Sequence, residues 1–292
     1  NYKLRRDSRI RFSVCKIDFK KYFYTTIRCG GVSDTHIGHN SELLEIDHEA
    51  YDIFVDRKID TVFHCGDITN GPPKHEEHNK GEVRESRATP LTNDVITLYP
   101  RRKNITTLMI SGDHDRWFLD NNGYDLLDPI TQVRSDIVYK GIQQGEHSDG
   151  NIITLLRHFN WGTGYAKSYK PQQVAEGVLK ELKLEKEIKK YRGKVLSLLS
   201  GGGHVYCAML YKGIIFILMP CLQGKTGFIT GLGKLSDVGF IIYSITHNED
   251  GKLTEFSVEY FDRGAEALSL IRERAELRKK NLELALQKLK NK

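Results

Sequence analysis

Apolar residues recur along this chain in short β-type runs, separated by stretches with helical spacing. The first run is "YFYTTIRCGGVS" (22–33), followed by a predicted helix over Ser41–Arg57. The next are "IDTVFHCGD" (59–67), a helix around Leu91–Tyr99, and "NITTLMISGD" (104–113). Then come "NIITLLRHF" (151–159), a helix over Pro171–Lys190 and "VLSLLSGGGH" (195–204). "GIIFILMPC" (213–221) and "VGFIIYSITH" (238–247) read as strands close together near the end. This βαβα order with added strands predicts a layered α/β sandwich.

Two stretches break the rhythm. Residues 71–89, "GPPKHEEHNKGEVRESRAT", are polar and turn-rich and read as a surface loop or flap. The tail from Gly264 to Lys292 has apolar or small residues at 268, 271, 275, 282, 285 and 289, interrupted by Arg278. Leu270, Leu277 and Leu284 add a second stripe, so a long amphipathic helix is expected. It either docks on its own domain or serves a protein partner or a second copy of the chain.

Composition narrows the class. The chain has 292 residues, 39% hydrophobic and 28% charged, which suits one large domain with appendages. No apolar run reaches the roughly 18 residues of a membrane span. The first residues, "NYKLRRDSRIRFSV", have no signal-peptide architecture and no initiator Met, so a processed chain or a fragment is expected. The organisation read here is a lead-in over 1–26, one domain over 27–263 and the helix over 264–292. Five cysteines at 15, 29, 65, 207 and 221 lack Cys-x-x-Cys spacing, which predicts free thiols in a reducing, cytoplasmic compartment and no thiolate zinc site. The net charge is +6, and the tail has eight Lys/Arg against four Asp/Glu. That is compatible with nucleic acid without demanding it.

The candidate chemistry lies where strands end. "GVSDTHIGH" places Asp34 and His36 after the first run, and "HCGDIT" places Asp67 after the second. "ISGDHDRW" adds Asp113, His114 and Asp115, "LLRHF" adds His158 and "LLSGGGHVY" adds His204. In α/β sheets, ligands collect at the carboxyl ends of strands. Carboxylates and imidazoles gathered there suit a pair of divalent ions, with a shared carboxylate offsetting their repulsion. Asp67 is the best candidate for that bridge. Such ions polarise a phosphoryl oxygen and acidify water. A histidine that binds no metal is still needed to protonate the leaving oxygen, and His114 suits that role.

Asp-x-His, Gly-Asp, Gly-Asp-His-Asp, a lone His and Gly-His-x-Tyr, in this order, resemble the motifs of the calcineurin-like metallophosphoesterase superfamily over roughly residues 27–263. The resemblance implies a four-layer α/β/β/α sandwich of mixed sheets. It implies Asp34 and His36 on a first metal, Asp67 bridging, and Asp113, His158 and His204 on a second. His114 would sit over the leaving group, steadied by Asp115. Three positions depart from the family pattern. Asp113 stands where the family has Asn, and the added hard oxygen tilts the expected pair of ions toward Mn²⁺ or Mg²⁺ over Zn²⁺, with Fe as a further option. Tyr206 replaces the last His, and Asn70 stands where many relatives have an Asp that orients the catalytic His. Both substitutions predict a weakened first site.

A looser resemblance joins the His158 block, Ser168, Tyr169, Gln172 and "LQGKT" (222–226) to phage and archaeal metallophosphoesterases and to the small exonuclease subunit of archaeal D-family DNA polymerase. It implies a phosphodiester substrate, DNA or RNA, and hence a nuclease. The alternatives are a weakened member acting as a subunit or scaffold through the C-terminal helix, and a phosphomonoesterase. His39, His64, His75 and His78 read as supporting or surface residues. Trp117, Trp161, Tyr165 and Tyr169 suit packing, with base stacking as the other use.

Overall fold

The computed structural model describes residues 7–13, 24–73, 80–159, 166–184, 188–231 and 236–290. Its elements begin with β1 (Asp7–Ser13), β2 (Tyr24–Val32), α1 (Leu44–Asp56), β3 (Thr61–His64), α2 (Ala88–Leu98) and β4 (Thr106–Ser111). Next come α3 (Asp113–Asn122), α4 (Leu127–Val133), β5 (Ile137–Ile142), β6 (Gln144–Asp149), β7 (Ile152–His158), α5 (Tyr169–Leu184) and α6 (Ile188–Tyr191). The chain continues through β8 (Val195–Gly201), β9 (Cys207–Tyr211), β10 (Ile214–Leu218), α7 (Gly227–Gly231), β11 (Gly239–Asn248), β12 (Leu253–Asp262) and α8 (Gly264–Lys290).

The strands form two mixed sheets, ordered β1-β12-β11-β2-β3-β4-β5 and β6-β7-β8-β10-β9. Strands β2 to β5 run parallel in the first, as do β7, β8 and β10 in the second. Side-chain alternation assigns the layers. In β11, Phe240 and Ile242 join the core under the helices, while Ile241, Tyr243 and Ile245 fill the space between the sheets. In β10, Ile215 and Ile217 point into that same space, while Ile214, Phe216 and Leu218 pack beneath α5. Both faces of these strands are covered, which is why their sequences read as unbroken apolar runs. The result is the four-layer α/β/β/α sandwich.

The edges differ from the sequence reading. Asp7–Ser13, inside the expected lead-in, pairs antiparallel with β12 as an edge strand. β5, "IVYKGI", and β6, the polar "QGEHSD", are strands that the sequence reading does not include. The first part of α8 docks, with Ala267 buried and Leu270 and Ile271 packed on the helix-side core. Arg274 donates to the Glu42 carbonyl (2.6 Å) and Arg278 to Asn40 (2.8 Å). Along its outer half Leu277, Leu282, Leu284 and Leu286 are exposed. No helix among the described residues is long and apolar enough to cross a membrane.

Candidate metal centre

Parallel pairing brings the carboxyl ends of β2, β3 and β4, and of β7 and β8, to one edge of the sandwich. There the chain turns sharply. Asp34 (φ 54), His36 (φ 47), Asp67 (φ 53) and His204 (φ 52) all adopt the left-handed conformation that side-chain-bearing residues rarely take. Four such turns at one place are backbone strain held by the surrounding structure, which is characteristic of functional sites. Gly112 marks the closest approach, since a Cβ there would collide with the Asp67 carboxylate and backbone nitrogen.

The side chains converge. His204 Nε2 lies 3.3 Å from Asp34 Oδ1 and 3.2 Å from His36 Nε2. Asp67 Oδ2 lies 3.2 Å from His158 Nε2 and 3.7 Å from His36 Nε2. Three groups of ligand atoms fall within 4.8 Å of one another: Asp34–His36–His204, His36–Asp67–His114 and Asp34–Asp67–His158. Asp34, His36, Asp67 and His158 are all buried. The loops behind them are tied together. Asp34 accepts from Ser33 Oγ (2.5 Å) and from the Gly202 amide (3.0 Å), and its own amide donates to the Gly66 carbonyl (3.0 Å).

Hydrogen bonding sets the tautomers. His158 Nδ1 donates to the Cys65 carbonyl (2.7 Å), which directs Nε2 at the Asp67 carboxylate. His114 Nδ1 likewise donates to the Asn70 carbonyl (2.6 Å). A neutral His158 therefore aims a lone pair at a carboxylate, and His36 and His204 aim nitrogens at each other. Such contacts are repulsive unless a proton or a cation lies between them. Burial disfavours a charged Asp67, yet His158 and His114 outweigh it and hold the carboxyl well below the usual range. Burial likewise opposes a charged His158, but Asp67 and Asp34 raise it to about 10. His204 is raised well above an ordinary imidazole against the same burial, with Cys221 and Asp34 as the causes. His36 goes the other way, pushed down by burial and by His114. Asp34 and Asp67 beside three imidazoles are the donor set of a divalent ion such as Mn²⁺, Fe²⁺ or Zn²⁺. The residues fit a divalent metal ion.

The arrangement departs from the expected assignment at several points. His204, expected beside His158, sits with Asp34 and His36, because the Gly202 amide bonds Asp34 and draws this loop to that side. Asp113 falls outside the three groups. It heads α3, and its carboxylate engages the Gln143 side-chain amide. Burial and Asp67 raise its carboxyl. Asp115 does not steady the His114 ring through its carboxylate. That group accepts from the amides of Ile68 (3.0 Å), Thr69 (2.8 Å) and Gly112 (2.9 Å), bracing the Asp67 loop against α3. The ring of His114 is held instead by the carbonyl of Asn70, so that position serves through its backbone and needs no carboxylate. Trp117 packs on the His114 ring at 4.1 Å.

Tyr206 shares the site's loop but packs into the interior. Its ring stacks on Tyr260 at 4.3 Å, and its buried hydroxyl has no hydrogen-bond partner among the described residues. Burial raises the phenol further from ionisation. The sequence reading gave no specific role to His64 and missed Gln143. His64 Nδ1 accepts from the Gly66 amide (3.2 Å) and its Nε2 meets Thr35 Oγ1 (3.3 Å), linking the two ligand loops from beneath. Gln143, also left-handed (φ 55), leaves β5 toward Asp113, a position visible only once β5 is recognised as a strand. His75, His78, Trp161 and Tyr165 lie outside the described residues.

Neither a family model nor a curated protein sequence matches this chain. Among solved structures it is similar to a predicted phosphoesterase from Streptococcus pneumoniae TIGR4, at 16% identity over 80% of this chain and 98% of that one, with a TM-score of 0.36. It is similar to Vacuolar Protein Sorting 29 from Cryptosporidium parvum, at 14% identity over 81% and 98%, with a TM-score of 0.42. It is also similar to Yfce, a phosphoesterase from E. coli, at 11% identity over 79% and 98%, with a TM-score of 0.39.

Proposed function

We propose that this protein is a calcineurin-like metallophosphoesterase that hydrolyses phosphodiesters, acting as a nuclease on DNA or RNA with two divalent ions, Mn²⁺ foremost. The observation that carries this reading is the convergence of buried Asp34, His36, Asp67 and His158 with half-buried His204 at the carboxyl ends of both sheets. Asp34, His36 and His204 would hold one ion; His158, with Asp34, would hold the other, and Asp67 lies within reach of imidazoles from both sets. When bound, the ions supply Lewis acidity toward a phosphoryl oxygen and toward water. The chain's own contribution is positional. Left-handed turns fix the carboxylates, Asp115 braces the Asp67 loop, and the Asn70 carbonyl aims His114 to donate a proton to the leaving oxygen. Four free thiols among the described residues suit a reducing compartment.

The test is hydrolysis by the purified protein of bis(p-nitrophenyl) phosphate and of end-labelled oligonucleotides with added Mn²⁺, against an EDTA control and the monoester p-nitrophenyl phosphate. Cleavage of diesters over monoester is expected. Preference for the monoester would favour a phosphomonoesterase. A second reading, a subunit or scaffold, is favoured by the exposed leucines on the outer half of α8. Absence of hydrolysis with every metal, together with stable capture of a partner lost on truncating that half, would establish it.

A further inference from the structure

A cavity of about 470 Å³ opens beside the candidate metal centre, and His158 forms part of its wall. One side is apolar, built by Ile142 at the end of β5, Phe159 after β7, and Val174 and Val178 of α5. Arg116 of α3 and Arg157 of β7 stand at its lining. The Arg116 guanidinium is pre-oriented, donating to Gln143 Oε1 (2.7 Å) and Asp120 (3.1 Å). The volume lies in the range of small-molecule sites, about 300–1,000 Å³, and far exceeds what one phosphoryl group needs.

Gly177 adds an independent observation. It occupies the interior of α5, where glycine weakens a helix, and it has no positive φ that would demand glycine. An added Cβ would meet nothing within 4 Å, so no neighbour requires glycine either. Its remaining consequence is open space on the cavity side.

We propose that this cavity is a nucleotide subsite, which takes the nucleoside beside the scissile phosphate against Phe159 and the valines and directs the next phosphate toward Arg116 and Arg157. The inference rests on the phosphodiesterase reading and narrows it to substrates with a nucleoside flank. An aromatic face accepts any base by stacking, and a guanidinium fork matches a phosphate's geometry. Glu181 is the one acidic residue among the lining residues described, and it sits on exposed α5 surface.

The decisive variant is Gly177→Phe, which fills the cavity. Binding of a fluorescein-labelled hexanucleotide, read by anisotropy without metal, should weaken at least tenfold. With Mn²⁺, the ratio of kcat/KM for thymidine 5′-(p-nitrophenyl phosphate) to that for bis(p-nitrophenyl) phosphate should fall about tenfold. Glu181→Lys should tighten hexanucleotide binding severalfold, most at low salt. Unchanged binding in Gly177→Phe, or equal loss on both esters, overturns the subsite. Should Gly177→Phe fail to fold, unchanged affinity in Glu181→Lys overturns it. A parent that hydrolyses neither diester overturns the phosphodiesterase reading, while metal-free binding still judges the cavity.

Discussion

Two buried aspartates in this protein face opposite fates. Asp67 and Asp47 are both almost wholly removed from water. Asp67 stays ionised because imidazoles surround it, with His158 at 3.2 Å. Asp47, on the core face of α1, has no hydrogen-bond partner on either oxygen among the described residues, and burial pushes it up to about 8 with Arg102 only partly opposing. Burial alone neutralises a carboxyl, and convergent partners reverse that. The strand-end cluster therefore keeps a negative charge at Asp67 away from water, as a cation site requires. The helix-side core merely tolerates a protonated acid beside Tyr51 and Tyr99.

The comparison is broken most severely at Asp67. Asp67→Asn removes the shared charge with little change in volume, so metal-dependent hydrolysis should fall to background and calorimetry should lose metal binding. Full rate with both ions retained would remove Asp67 from the bridging role.

His114→Ala comes next. As a proton donor, its loss should cut kcat by about 10²–10⁴-fold while metal binding persists. Its place in the His36–Asp67–His114 group makes the outcome informative, since loss of metal would make it a ligand.

Asp47→Asn tests the other member of the pair. The folded protein retains this proton up to about pH 8, while the unfolded chain releases it near 3.8. Its contribution is thus fully present below pH 3.8 and is lost as pH rises toward 8. The asparagine variant should be the more stable one at pH 7, by up to about 4 kcal/mol, and equal to the parent near pH 3. Denaturant melts from pH 3 to 9 would show two curves that separate as pH rises, whereas parallel curves would mean that Asp47 finds a partner.

The smallest effect is expected at Tyr206. Its hydroxyl is buried and has no partner among the described residues, so Tyr206→Phe should leave metal affinity unchanged and alter stability by no more than about 1 kcal/mol, in the stabilising direction. Weaker metal binding would show instead that the phenol completes the first site.

Much of this was legible beforehand. Each apolar run over 59–67, 104–113, 151–159 and 195–204 formed a strand, and each ended at the Asp or His that the pattern singled out. The less legible parts share a cause. β6 is the polar stretch "QGEHSD" on a sheet edge, where one side needs no apolar cover, so hydrophobic alternation is weak. β1, also on an edge, gains its identity only from pairing with β12.

From sequence alone, strand periodicity and strand-end glycines mark the strand ends where Asp34, His36, Asp67, His158 and His204 meet, because both are local properties that a chain carries wherever it folds. The tertiary structure alone decided how those groups are shared out. His204 joined Asp34 instead of His158, Asp113 turned to Gln143, Asp115 braced backbone, and Asn70 served through its carbonyl. Each of these depends on a distance of a few ångströms between segments tens to well over a hundred residues apart. Strand pairing within the first sheet sets three of these distances and the packing of the two sheets sets the fourth, and hydrogen bonds and charge interactions respond to them steeply.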